Sequence, residues 1–369
     1  MTTARIVLFG ATGYTGRRTA EAMVRRGLRP VLAGRSAVRL AALAGRLGDL
    51  EVAMADVGDI ASVRDLVARG DVLVSTVGPF VRLGAPALRA TIDAAAIYLD
   101  STGEPPFIRR VFEEFGPLAE RTGASLVPAF GNDYVPGNLA GALALRLADG
   151  VVHRVEIGYL ITGVGRTQVF SRGTFASLTA VATEQAFTWR DGIRAEPPGS
   201  RMRTFSLGGR DRPAMTIGST EHYTLPRLAG PRGLPEVDVY LGWFGSATRA
   251  LQLSSRLTSV LLQLPGARSL VRRIGELAQR WVAEEPDPVA LTRVVPHFIG
   301  TAYDASGTAL VEVHLVSGEP YQLTADLLAW GAQRAAEHGV SRPGTLGPVE
   351  AFGLDALETA AVEVGLRRL

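Results

Sequence analysis

A chain of 369 residues with 47 % hydrophobic and 20 % charged side chains can bury a sizeable core and has room for two domains. Its formal charge of +3 is too small to mark a nucleic-acid footprint, and all 39 basic side chains are arginine. The absence of lysine and cysteine excludes Schiff-base, Walker A and thiol chemistry, disulfides and thiolate metal sites. The five histidines are scattered without His-x-x-x-His spacing, so Asp, Glu, His, Tyr or water must carry any proton transfer.

In chain order, short β-type runs at 5–10, 30–34, 50–56, 71–77, 97–100 and 124–130 alternate with helical patterns. Those patterns lie at 15–26, 37–47, 60–68, 85–95 and 106–121. This alternation predicts an α/β domain with a doubly wound parallel sheet. The first, second and fourth runs are apolar for most of their length, as expected of strands covered on both faces. From about residue 132 the rhythm changes. Helices are expected at 138–147, 174–187, 247–264, 267–282 and 324–338, with strands at 153–161, 202–207, 214–218, 236–242, 292–303 and 308–316. That order predicts a second α+β domain on a largely antiparallel sheet. A Gly/Pro-rich turn at 343–348 and a helix at 355–363 close the chain.

The turn between the first strand and first helix reads GATGYTG, with Gly10, Gly13 and Gly16 spaced as a dinucleotide-binding variant. Thr12, Tyr14 and Thr15 share that turn. The glycines permit a tight turn and a close backbone approach, and the helix N-terminus favours a pyrophosphate. At the end of the second strand, where NAD enzymes usually carry an acidic residue, the chain reads Arg35-Ser36. A guanidinium and a hydroxyl suit a 2′-phosphate, so NADP(H) is the expected cofactor. Asp56, after the third strand, either lies near the adenine or caps the next helix. Ser75–Phe80 forms a small-residue turn at the sheet's ligand-binding edge, so Thr76, Val77, Gly78, Pro79 and Phe80 are expected beside the cofactor.

GATGYTG, AGRS, STVGPF, YLDSTGE at 98–104 and VPAFGNDYVPGNLAG at 127–141 follow in order and spacing. Together they resemble the saccharopine dehydrogenase-like oxidoreductases, including the group named trans-acting enoyl reductases. The resemblance is strong over about the first 145 residues and weaker at 171–177, 319–332 and 344–354. It implies that the C-terminal segment returns to the first domain. The expected organisation is a Rossmann NADP-binding domain of residues 1–131 plus 340–369, and an α+β substrate or dimerisation domain of residues 132–339. Saccharopine dehydrogenases proper are associated with a catalytic lysine, which this chain lacks, so their amino-acid chemistry does not carry over. Asn132-Asp133-Tyr134 stands where many relatives have Phe-Asp-Ser.

Asp133 and Tyr134 follow the sixth strand, where hydride chemistry needs a proton or hydrogen-bond donor. Tyr134 is the candidate donor and Asp133 its orienter; the alternative is a capped turn. Glu104 either faces the nicotinamide side or caps its own helix. His222 and Tyr223 read as a strand pair pointing to opposite faces. The leucines and arginines of 247–282 read as core or dimer packing, with a peripheral membrane or lipid contact as the alternative. The expected function is NADP(H)-dependent reduction of an activated double bond, enoyl or imine, in a mostly apolar small metabolite. The competing reading is an NADPH-binding redox sensor or scaffold without turnover. No metal and no nucleic-acid partner is expected, and a homodimer is left open. The first strand begins near Met1 and no run reaches the ~18 apolar residues of a membrane span, so a cytoplasmic protein without a signal peptide is expected.

Overall fold

The structure is a computed structural model and describes residues 4–163, 186–197, 199–243, 245, 248, 252 and 285–369. Contacts divide the chain into two units. Met1–Gly103, Phe107–Val135 and Tyr321–Val364 form the first, and Glu104–Pro106, Pro136–Pro320 and Gly365–Leu369 the second. The expected helices at 247–264 and 267–282, nearly all of that at 174–187 and the 171–177 segment lie outside the described residues.

The first unit begins with β1 (Ile6–Phe9), α1 (Tyr14–Arg25), β2 (Val31–Gly34), α2 (Ala37–Arg46), β3 (Val52–Met54), α3 (Ile60–Arg64) and β4 (Val72–Ser75). It continues through α4 (Phe80–Leu83), α5 (Ala85–Ala94), β5 (Ile97–Asp100), α6 (Pro105–Arg110), a π-helical turn (Val111–Phe115), α7 (Gly116–Thr122) and β6 (Ser125–Val127). The strands lie parallel in the order β3-β2-β1-β4-β5-β6, a doubly wound Rossmann sheet. Every residue of β1, β2 and β4 is buried, because helices cover both faces; β3, at the edge, is largely exposed. On one face Val7, Phe9, Leu73, Tyr98 and Leu126 pack with Val63, Leu88, Phe107 and Phe115 of the helices. The continuous helix expected at 106–121 instead carries the π-helical turn, where the Val111 carbonyl accepts a hydrogen bond from Thr345.

The second unit contains α8 (Val135–Leu147), β7 (Arg154–Thr162), β8 (Ala186–Arg190), β9 (Ile193–Glu196), β10 (Met202–Leu207), β11 (Arg210–Thr216) and α9 (Glu221–Leu228). It also contains β12 (Glu236–Gly242), α10 (Pro288–Leu291), β13 (Val295–Tyr303) and β14 (Ala309–Val316). Its sheet is mixed and mainly antiparallel; β12 and β7 run parallel to one another. Ala186 and Phe187, expected at the end of a helix, belong to strand β8. His222 and Tyr223 are likewise not on a strand. They lie in α9, where both rings pack on Phe187 with centroids 5.5 Å away. Helical geometry lets these neighbours flank one ring, where a strand would have sent them to opposite faces.

The chain then returns to the first unit as α11 (Pro320–His338), β15 (Gly344–Thr345), α12 (Pro348–Phe352) and α13 (Leu354–Glu363). Strand β15, which lies within the expected turn, pairs with β6 and makes the Rossmann sheet seven-stranded. Arg25 at the end of α1 and its C-cap Arg26 reach Asp326 and Gln333 of α11, and Trp330 stacks on Phe130. The boundary expected at 339/340 therefore differs from the observed division by the length of α11. A last strand, β16 (Arg367–Arg368), pairs with β14.

A buried polar cluster joins α8, β7 and α9. The Tyr159 hydroxyl donates to Glu221, Thr220 donates to the other Glu221 oxygen at 3.1 Å, and Asn138 donates to Thr220 at 2.8 Å. Burial pushes the Glu221 carboxyl up to about 7, against the hydrogen bonds that favour its charged form. The folded state thus holds a proton that the unfolded chain releases near its ordinary value of 4.5. Stability from this group is full below that value and is lost as pH rises through about 7. Melting temperatures between pH 5 and 8 should fall several degrees more for the wild type than for Glu221→Gln; equal slopes would refute the assignment.

Candidate functional site

The C-terminal edge of the parallel sheet brings the sequence motifs together. Gly10 has φ +90°, and a Cβ there would stand 2.7 Å from Thr76 Oγ1 and 2.9 Å from Val77 Cγ2. Thr76 Oγ1 in turn lies 3.2 Å from the carbonyls of Phe9 and Gly10. The glycine turn and the Ser75–Phe80 turn are therefore pressed together, as their positions after adjacent strands require. Gly16 faces the Gly10 carbonyl so closely that a Cβ has no room. Helix α1 has Gly13 as its N-cap, with no side-chain cap and no acidic residue in its first turn, and Gly13 is exposed. Such an end fits an anion: the N–H groups and dipole of a helix N-terminus favour negative charge, and the first turn itself carries no carboxylate.

The other predicted cofactor residues are less uniform. Arg35 is exposed and makes no side-chain hydrogen bond or ion pair among the described residues. Ser36 caps α2 by accepting from the Arg39 amide at 3.4 Å. Asp56 does not cap the following helix; it accepts from Gly58 within its own turn, and Asp59 is the cap. Gly78–Pro79 is a cis peptide, and the Phe80 ring turns into the core against Phe107 rather than outward. Sequence reasoning missed Arg17, Arg39 and Arg46, which with Thr12, Ala42 and Leu43 line a cavity of about 180 Å3. Arg17 and Arg39 both donate to the Thr12 carbonyl at 2.9 Å. The signal was present: in a helix starting at 37, residues 39, 42, 43 and 46 share one face.

Asp133 and Tyr134 stand on a tight turn after β6. Tyr134 adopts φ +80°, is 4 % exposed, and donates to the Gly103 carbonyl at a long 3.5 Å. Asp133 accepts from the Asn132 side chain at 3.2 Å, and burial pushes its carboxyl up to about 6. Its Oδ2 lies where a Gly103 Cβ would be 2.5 Å away, so the STGE and NDY turns interlock. Asp100, wholly buried, accepts from the amides of Thr102 at 2.9 Å and Ala129 at 2.8 Å and so ties the two turns at their base. Glu104 is also wholly buried. Among the described residues no group of three or more His, Cys, Asp or Glu side chains could hold a metal.

Compared with solved structures, the chain matches apo saccharopine dehydrogenase (L-Glu forming) from Saccharomyces cerevisiae over 99 % of both chains, with a TM-score of 0.62 at 13 % identity. It has the saccharopine dehydrogenase fold. The homospermidine synthase of Legionella pneumophila, solved in complex with NAD, matches with a TM-score of 0.59 at 10 % identity, over 100 % of this chain and 91 % of that one. In sequence, the chain is homologous to proteins named trans-acting enoyl reductase. It is 38 % identical to the one from Mycobacterium ulcerans over 140 residues, 36 % of this chain and 34 % of the other. A Mycobacterium tuberculosis protein named as a candidate member of that group is 36 % identical over 184 residues, 48 % of this chain and 43 % of the other. The chain thus spans less than half the length of the relatives it matches. No family model matches it. Among the described residues no helix is long and apolar enough to cross a membrane.

The contact between Gly103 and Asp133 can be tested directly. Gly103→Ala should swing the Asp133 carboxylate aside at a cost of about 1 kcal/mol in denaturant unfolding, the low end of overpacking, because the clashing atom is the end of a side chain. An Asp133 carboxyl whose NMR shift is the same in the variant would show that the two turns do not touch.

Proposed function

We propose that this chain is an NADP(H)-dependent oxidoreductase that reduces an activated double bond, enoyl C=C or imine C=N, in a mostly apolar small metabolite. The observation that carries the reading is the uncapped N-terminus of α1 inside the glycine turn, in a chain whose sequence relatives are named enoyl reductases. The glycine cradle fits a dinucleotide pyrophosphate because Gly10 and Gly16 leave no room for side chains between the backbones. Arg35 and Arg39 favour a 2′-phosphate over a bare ribose, with the arginine-lined cavity beside Thr12 as further support.

A bound nicotinamide would supply the hydride. The chain's own part is to place the acceptor and to meet the charge that hydride addition creates. Tyr134 Oη–H is the donor we assign: its bond to the Gly103 carbonyl is long, and a more negative oxygen or nitrogen competes well for it. Asp133, poised near 6, is well matched to take or return a proton close to neutral pH. Hydride and proton together saturate the double bond.

Fluorescence titration with NADPH and NADH tests the cofactor assignment. NADPH should bind more tightly, and Arg35→Ala or Arg39→Ala should each cut that preference by ~10-fold or more, the worth of a charge-assisted hydrogen bond. Equal binding of both nucleotides would remove the NADP assignment, and binding of neither would remove the enzyme reading. With 2-enoyl thioesters and cyclic imines as probes, Tyr134→Phe should lower kcat by ~100-fold while NADPH affinity holds. Full turnover in that variant would assign the donor elsewhere.

A further inference from the structure

The turn that carries Asp133 and Tyr134 does not hold its shape by local preference. Ala129 at φ +59° and Tyr134 at φ +80° are both left-handed, a conformation that is costly for a non-glycine residue and persists only when neighbours impose it. The upstream half is imposed by Asp100, whose side chain takes the Ala129 amide and whose carbonyl takes the Phe130 amide at 2.7 Å. The downstream half has a different support. The Asn132 amide donates to Thr324 Oγ1 at 3.0 Å, across 192 residues of chain.

Thr324 lies in the first turns of α11 and sits directly on the loop. A Cβ at Gly131 would fall 2.8 Å from Thr324 Cγ2 and 3.1 Å from its Oγ1, so the threonine occupies the space that a side chain would fill. One helical turn earlier, on the same face, the Tyr321 ring meets Tyr14 of the glycine turn edge-on, with centroids 5.1 Å apart at 82°. The Arg18 guanidinium lies over the other participant, 5.2 Å from the Tyr14 centroid. The start of α11 thereby touches the dinucleotide turn through Tyr321 and the Asn132–Tyr134 turn through Thr324.

We propose that Thr324 is a positioning residue for the Asp133–Tyr134 turn, acting through the Asn132 amide, with α11 setting that turn relative to the glycine turn. The chemical role of Asp133 and Tyr134 rests on the proposed function; the positioning itself does not. Thr324→Val keeps the shape and removes the acceptor, whereas Thr324→Ser keeps the acceptor and removes the methyl group.

The experiment follows two signals in the full-length protein. These are hydrogen exchange at the Asn132 amide and the titration of the Asp133 carboxyl by carbon-13 NMR, assigned with Asp133→Asn. In Thr324→Val, exchange should quicken by ~5-fold or more, as expected where one hydrogen bond is lost. The Asp133 midpoint should move from about 6 toward its ordinary 3.8 as the turn opens to water. Thr324→Ser should match the wild type in both signals, and NADPH affinity should stay the same in both variants. Wild-type exchange and titration in Thr324→Val, or equal losses in both variants, would overturn the assignment. If the wild type bound NADPH and reduced no enoyl or imine probe, the proposed function would fail, while these two signals would still decide the role of Thr324.

Discussion

The close approach of Gly10 to Thr76 is the constraint on which the rest of the site depends. Two neighbouring parallel strands end side by side, and their exit turns must either diverge or interlock. Here they interlock: Gly10 takes a left-handed turn with no side chain, and the Thr76 hydroxyl closes over its carbonyl. Helix α1 follows with Gly13 at its N-cap and no side-chain cap. A helix end without a side-chain cap and without an acidic residue in its first turn favours an anion, and it lies at the edge where Rossmann sheets receive their ligands.

The second organising feature is the use of buried polar groups to hold irregular backbone. Asp100 does this at the base of the STGE and NDY turns, and Thr324 does it from a distant helix. In the second unit, Tyr159, Glu221, Thr220 and Asn138 form a comparable cluster between helices and sheet. Each cluster takes polar groups out of water and recovers the cost through short, directed hydrogen bonds. Burial also shifts proton affinities, which is why Asp133 and Glu221 both hold protons well above the ordinary carboxylate range.

Fold and chemistry are separate questions for this chain. The resemblance to saccharopine dehydrogenase extends over the whole chain at 13 % identity, which speaks to architecture. The sequence relationship to the trans-acting enoyl reductases covers less than half of either partner. The chain has no lysine, so a lysine-dependent route to amino-acid chemistry is closed to it. The Tyr134 hydroxyl and a carboxyl that burial raises toward neutrality stand on one turn, and the proposed reduction calls on both.

The sequence by itself determined the Rossmann sheet, because apolar strands alternating with amphipathic helices admit few other packings, and the glycine spacing marks the turn after β1. It also located Arg35 and the Asp133–Tyr134 turn, since both follow directly from strand ends. It could not show that Phe80 turns inward, that the Asp56 side chain accepts from Gly58 instead of capping α3, or that His222 and Tyr223 share a helix. Those outcomes depend on neighbours far away in the chain, such as Phe107 and Phe187. The tertiary structure alone decided that α11 groups with the first unit and that Thr324 meets the Asn132 amide. Local patterning records which face of an element is apolar, whereas the partner of that face is set by packing across the whole chain.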